Sequence, residues 1–339
     1  MNTKSILAIM SFVAGSVCAA GQAAEQPLLG GEHEAEVTAI PGVISGDAQW
    51  QLAWAGFETA DGIVGSPDGG LLFAQEQTNT IKKLDKDDKV WIVVADTDGA
   101  GSVSLDNQGR LFAVQRTCTD PGLHMPSCAE LTMVGTLLPE RKTLANSFPD
   151  GTTLGRLNDL VTDGKGGAYF TTGTFQAGGA WYVNAQGKVI TIEDKNLRSN
   201  GIMLSPDGKT LYVTNNDVVI AFDIQADGSG KNRRDFCSLQ GDTGGDGMAV
   251  DSEGRLYVTA NAGIHVCNAK GEHLGVIPMR RRAITLAFSG PDKKTLYVGG
   301  MGAVGPDGKA FQTPEGVRNT SMTIYKIRML AQGYMGRPK

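Results

Sequence analysis

One phrase recurs six times along the chain and constrains the fold more than any other feature: an Asp- and Gly-rich turn followed by a Leu-Tyr-Val-like strand. Pro67-Asp68-Gly69-Gly70-Leu71-Leu72-Phe73 and Asp251-Ser252-Glu253-Gly254-Arg255-Leu256-Tyr257 are representative copies. The strand aromatics Phe73, Phe112, Tyr169, Tyr212, Tyr257 and Tyr297 follow one another at steps of 39, 57, 43, 45 and 40 residues. A period near 40 is that of a four-stranded propeller blade. Asp-Gly and its relatives supply the positive φ that a tight hairpin demands. The flanking segments are apolar or alternating for only a few residues, and helical periodicity is almost absent. The fold class expected is therefore all-β, a six-bladed β-propeller. Thr323-Ile324-Tyr325-Lys326-Ile327 and Trp50-Gln51-Leu52-Ala53-Trp54 are placed to share a blade and close the ring, leaving no free sheet edge.

The step of 57 is one blade plus an insertion holding Cys118, His124, Pro126 and Cys128. The chain opens with Lys4, an apolar run from Ile6 to Cys18 and small residues through Ala24, the order of an export signal. That run is too short to span a bilayer as a helix, and no later stretch reaches the ~20 residues required. The organisation expected is a signal over 1–24, an N-terminal segment over 25–50, the propeller over 51–330 and a tail over 331–339, in a periplasmic or secreted protein. In that oxidising setting Cys118 and Cys128 read as a local disulfide, whereas Cys237 and Cys267 either pair or stay buried. A net charge of −5 without a Lys/Arg block excludes nucleic acid as the expected partner.

Four further phrases stand where an innermost strand should begin: Asp61-Gly62-Ile63, Arg156-Leu157-Asn158-Asp159-Leu160, Ser199-Asn200-Gly201-Ile202 and Gly245-Asp246-Gly247-Met248. Innermost strands line a propeller's axis, so their leading residues converge. Carboxylates and carboxamides arriving from different blades make an oxygen-rich site of the kind hard cations prefer. The bland alternative is that Asn and Asp before Gly are ordinary turn residues.

On these residues the chain resembles the senescence-marker-protein, gluconolactonase and luciferin-regenerating-enzyme family. The likeness runs from about Asp61 to Tyr325 and is carried by Asn158-Asp159-Leu160-Val161-Thr162-Asp163, Ser199-Asn200-Gly201-Ile202 and Asp246-Gly247-Met248-Ala249-Val250-Asp251. The resemblance implies that Asp61, Asn200 and Asp246 bind one divalent metal. It also implies that Arg156, Asn158 and Asp159 contact substrate and metal-bound water. Two departures stand out. Asp61 is one methylene shorter than the family's usual Glu, and the family's substrate-side acidic residue has no counterpart in Thr171-Thr172-Gly173-Thr174-Phe175-Gln176.

The function expected is a metal-dependent lactonase hydrolysing a sugar lactone by water attack on the carbonyl. Asp246 is the expected ligand and proton acceptor, and Asn158 and Arg156 orient the ring. Oxygen ligands favour Ca²⁺ first, with Mg²⁺, Mn²⁺ or Zn²⁺ as alternatives. A non-catalytic propeller binding a partner or small ligand around a structural metal is the competing class. A different ester or a phosphotriester in the same site is a third. No Gly-x-Ser-x-Gly elbow or His-Glu-x-x-His phrase is present, and Gly208-Lys209-Thr210 lacks the earlier glycine of a phosphate loop. His33, His124, His265 and His273 read as surface or loop histidines, Arg280-Arg281-Arg282 as an exposed basic turn ahead of the alternative that it meets an anionic group, and Trp50 and Trp54 as packing between blades.

Overall fold

The computed structural model describes residues 28–56, 58–76, 78–116, 132–173, 178–302 and 322–336. Six four-stranded antiparallel sheets make up the regular structure, and the described residues contain no helix. Blade 1 spans 61–95, blade 2 spans 100–145, blade 3 spans 157–197, blade 4 spans 199–238 and blade 5 spans 248–278. Blade 6 takes three strands from 282–328 and its fourth from Gln51–Gly56, which pairs with Met322–Arg328. Leu52 faces Tyr325 and Trp54 faces Ile324, so the two ends of the chain close the ring as the sequence predicts.

The innermost strands are Asp61–Gly65, Ala100–Leu105, Leu157–Thr162, Ser199–Leu204, Met248–Val250 and Arg282–Ser289. Each contacts the next, and the last contacts the first, around a central axis. Burial falls outward from that axis. Leu157–Thr162 and Ser199–Leu204 are buried throughout, whereas the outermost strand of blade 4, Gly230–Ser238, is largely exposed. The apolar side chains form clusters that straddle blade boundaries. Phe112 and Val114 meet Leu160 and Phe170 between blades 2 and 3, and Ile63 and Phe73 meet Ala287 and Tyr297 between blades 1 and 6. Burying each such side chain contributes about 1.5–3 kcal/mol, so the blades hold one another rather than standing alone.

The recurring phrase is the hairpin between the first and second strands of each blade. In blade 5 the Asp251 carboxylate accepts from the backbone N–H groups of Glu253 and Arg255, both at 2.9 Å. Asp106 does the same for Gln108 and Arg110 in blade 2. The turn's positive φ falls on glycine in five blades; in blade 6 Lys293 adopts it instead, at 49°.

Trp50 and Trp54 pack between blades. The Trp50 indole donates to the Pro278 carbonyl at 2.9 Å, and Trp54 lies against Phe73 with ring centroids 5.3 Å apart. The expected exposed basic turn is not one. Arg280 and Arg281 are buried: Arg280 lies over the Tyr325 ring, and Glu32, far away in sequence, folds back onto Arg281. Arg281 Nε lies 3.1 Å from Glu32 Oε1, and the same oxygen accepts from the Tyr325 hydroxyl at 2.6 Å. The expectation for His265 is also corrected. It is buried in the strand Gly263–Cys267, where its ring nitrogens lie 3.0 Å from His273 Nε2 and 3.0 Å from Asp242 Oδ2. Cys237 and Cys267 form a disulfide joining the outermost strand of blade 4 to the third strand of blade 5. Cys118, Cys128 and His124 lie outside the described residues.

Candidate active site and cation site

The N-terminal ends of the innermost strands meet at one small cavity lined by Asp61, Ser102, Asn158, Asp159, Asn200 and Asp246 among others. Four blades deliver the oxygen-bearing groups. Asp61 opens its strand, Asn158 and Asn200 stand second in theirs, and Asp246 lies two residues before Met248–Val250. Register breaks between Asp61 and Val64, Leu157 and Leu160, and Ser199 and Ile202 interrupt pairing at these positions. A bulge of this kind bends the strand and re-aims its side chains, here toward the axis.

The glycines that follow these residues are not hairpin turns. Gly201 lies inside a strand, where a Cβ would come 2.0 Å from the Asp246 carbonyl oxygen. Gly62, at φ 50°, leaves no room for a Cβ beside Ser102 Cα, 2.2 Å away. Both exist so that adjacent innermost strands can touch, which brings Asn200 beside Asp246 and Asp61 beside blade 2.

Asp159 is buried and ties three blades together. One oxygen accepts from the Ser102 hydroxyl at 2.6 Å and from the Leu160 N–H at 2.8 Å, and the other accepts from the Ile202 N–H at 3.2 Å. Thr171 extends the link, accepting from the Asp159 N–H and donating to the Asn200 carbonyl. The Asn158 amide donates to the Gly173 carbonyl at 3.2 Å, leaving its oxygen side toward Arg116. Arg156 is half-buried just before this strand and is not among the residues lining the cavity.

Arg116, Glu76 and Arg282, none of them among the expected site residues, complete the site. Arg116 ends the second strand of blade 2 and is buried; it pairs with Glu76 and lies 3.7 Å from Asp61. Arg282 opens the innermost strand of blade 6 and acts electrostatically on Asp246. Burial pushes the Asp246 carboxyl well above the usual carboxylate range; the Asp61 and Asp159 charges push the same way, and Arg282 and Arg116 oppose them.

Among the described residues no cluster of three or more His, Cys, Asp and Glu side chains could hold a metal on its own. The donor set here is mixed, with Asn158 and Asn200 beside the carboxylates, and it offers oxygen alone. That chemistry fits a hard divalent cation.

The family model described as the SMP-30/Gluconolactonase/LRE-like region matches residues 60–301. The chain belongs to this family. It is 24% identical over 273 residues to a gluconolactonase of Zymomonas mobilis, covering 69% of this chain and 71% of that one. It is 33% identical over 138 residues to the lactonase drp35 of Staphylococcus haemolyticus, covering 37% of this chain and 42% of that one. This second match thus spans less than half of the staphylococcal protein. Among solved structures, a putative gluconolactonase superposes with a TM-score of 0.68 at 18% identity, covering 88% of this chain and 98% of that one. A calcium-binding protein, regucalcin, from Agrobacterium tumefaciens does so with a TM-score of 0.55 at 15% identity, covering 84% and 97%. The propeller is thus the family's fold, and lactonases are among its members' names.

Proposed function

We propose that the protein is a divalent-cation-dependent lactonase that opens a sugar lactone, with Ca²⁺ as the first-choice cation. The observation that carries this reading is the meeting of Asp61, Asn158, Asn200 and Asp246 from four blades at one oxygen-lined cavity. Asp61, Asn200 and Asp246 would hold the cation. When bound, it supplies Lewis-acid stabilisation for negative charge developing on the lactone carbonyl oxygen. The Asp246 carboxylate takes a proton from the attacking water as the new bond forms to the carbonyl carbon. The ring C–O bond then breaks, and the departing ring oxygen takes up that proton to become an alcohol. Asn158 orients the lactone, with Arg156 outside the cavity lining, and Asp159, with Ser102 and the Ile202 N–H bound to it, keeps the innermost strands of blades 2, 3 and 4 in register.

We place the protein in the periplasm or outside the cell, with residues 1–24 as its export signal. The Cys237–Cys267 disulfide supports an oxidising compartment. No helix of the described residues is long and apolar enough to cross a membrane.

The test is proton release from a panel of sugar and aliphatic lactones, with the protein stripped by chelator and then resupplied with Ca²⁺, Mg²⁺, Mn²⁺ or Zn²⁺. Loss of hydrolysis on stripping and cation-specific recovery are expected. No hydrolysis of any lactone by protein with a cation demonstrably bound would refute the lactonase and leave a propeller that only binds.

A further inference from the structure

Around the axis, four blades bring a carboxylate or carboxamide to the cavity and two do not. Blade 2 contributes Ser102 and blade 6 contributes Ile284 and Thr285. These two blades flank blade 1, which carries Asp61, and each has an arginine close to the site. Arg116, the arginine of blade 2, has a defined and unusual seat.

Its guanidinium lies against Gly101, where a Cβ would come 2.1 Å from Nε and 2.3 Å from Cζ. Any other residue at 101 would displace it. From that seat it reaches past its own blade in both directions. Toward blade 1, Nε pairs with the buried Glu76, and NH2 lies 3.7 Å from Asp61 Oδ2. Toward blade 3, NH1 donates to Asn158 Oδ1 and to the carbonyls of Leu157 and Asn158, all at 3.4 Å. One planar group thus spans a proposed ligand on one side and a proposed substrate contact on the other. Arg116 is only 4% exposed, so substrate does not reach it.

We infer that Arg116 is a positioning residue for the cation site, an inference that rests on the cation-dependent reading above. It sets where the Asp61 carboxylate and the Asn158 carboxamide point, and Glu76 cancels its charge so that the guanidinium does not repel the cation. The shortness of Asp61 makes this matter, because a carboxylate on a shorter stem tolerates less error in the strand that bears it.

The inference has a sign that a purely electrostatic role lacks. A guanidinium that acted by charge alone would weaken binding of a dication, so its removal would tighten binding, or leave it unchanged where Glu76 goes with it. A guanidinium that positions ligands weakens binding when it is lost. The test is calcium titration by calorimetry on the chelator-stripped, full-length mature protein, as wild type, as Glu76→Gln/Arg116→Gln and as Arg116→Lys. The double variant removes both buried charges together, since an orphaned one is strongly destabilising. Thermal denaturation without calcium reports the structural effect separately.

The expected result is a Kd for calcium raised on the order of 10- to 100-fold in the double variant, the usual cost of losing an outer partner of a metal ligand. Arg116→Lys should also raise Kd, because an ammonium keeps the charge without the fork that meets both sides. If the double variant does not fold, Arg116→Lys carries the test alone. Unchanged or tighter calcium binding in the folded variants, with wild type binding normally, overturns the inference and spares the cation reading. Wild-type protein that binds none of Ca²⁺, Mg²⁺, Mn²⁺ and Zn²⁺ removes both.

Discussion

Replacing Gly201 by alanine isolates the contact on which the proposed site depends most. Gly201 is not in the left-handed region, so alanine is compatible with its backbone. The difficulty is space. The added Cβ would lie 2.0 Å from the Asp246 carbonyl oxygen, 2.9 Å from its carbon and 3.2 Å from Gly247 Cα. Carbon and oxygen rest comfortably at about 3.3 Å or more, so the Asn200 and Asp246 strands must part by roughly 1.3 Å. Overpacking of this kind costs about 1–3 kcal/mol of stability. A displacement near 1 Å between groups acting on one substrate costs on the order of 100-fold in rate. Gly65→Ala is the matched control. Its Cβ would meet the Phe288 carbonyl oxygen at the same 2.0 Å, but at the far end of the innermost strand of blade 1. Four residues separate it from Asp61, roughly 13 Å at strand rise. Both variants should lose similar thermal stability, while only Gly201→Ala should lose kcat/KM for the lactone and affinity for calcium. Equal losses of stability with wild-type kcat/KM in Gly201→Ala would show that the close approach serves packing alone.

Two more outcomes follow from the electrostatics and the covalent link. The Asp246 carboxyl has a folded-state pKa above its ordinary value, so its ionised form opposes folding of the cation-free protein above that pKa, and stability rises as pH falls through it. Asp246→Asn should therefore raise the Tm of the chelator-stripped protein at neutral pH, narrow the gain wild type shows on acidification, and abolish stabilisation by calcium, worth about 2.7 kcal/mol at 100 times Kd. A lower Tm in stripped Asp246→Asn would contradict the burial argument. The Cys237–Cys267 disulfide closes a loop of 30 residues, for which chain entropy assigns about 3.6 kcal/mol. Replacing both cysteines by alanine should lower stability by that order in denaturant unfolding and leave calcium affinity unchanged, because neither sulfur approaches the axis.

The parts of this molecule legible in sequence are those whose causes are local. In blades 2, 3 and 5 the first hairpin is built by an Asp that accepts from N–H groups two and four residues on, a pattern visible in the chain itself. Asp61, Asn158, Asn200 and Asp246 were legible for a related reason: polar residues at the start of an otherwise apolar innermost strand have nowhere to point but the axis. Their glycines were open to misreading as turns, because Asn-Gly and Asp-Gly serve both hairpins and close strand contacts, and only the neighbouring blade distinguishes the two. The histidine pair was hidden and the Cys237–Cys267 link stayed one of two alternatives, since both depend on which strands lie side by side. Arg280-Arg281-Arg282 misled because its partner, Glu32, comes from the N-terminal segment rather than from any neighbour in sequence.

The same distinction explains why the charge balance of the site had to come from the structure. Asp61, Asp159 and Asp246 line the cavity, and Glu76 lies just behind Asp61. Against these four carboxylates stand two guanidinium groups, Arg116 from the end of a second strand and Arg282 from the start of an innermost one. When all are ionised, two negative charges remain, which the divalent cation proposed above would neutralise. A site built to bind a neutral ligand around a packed polar cluster has no use for that surplus, which adds to the burial that raises the Asp246 carboxyl. On the cation-dependent reading proposed above, the two arginines would bring the count down to what a single dication satisfies, with Arg116 held in its seat by Glu76 and Gly101.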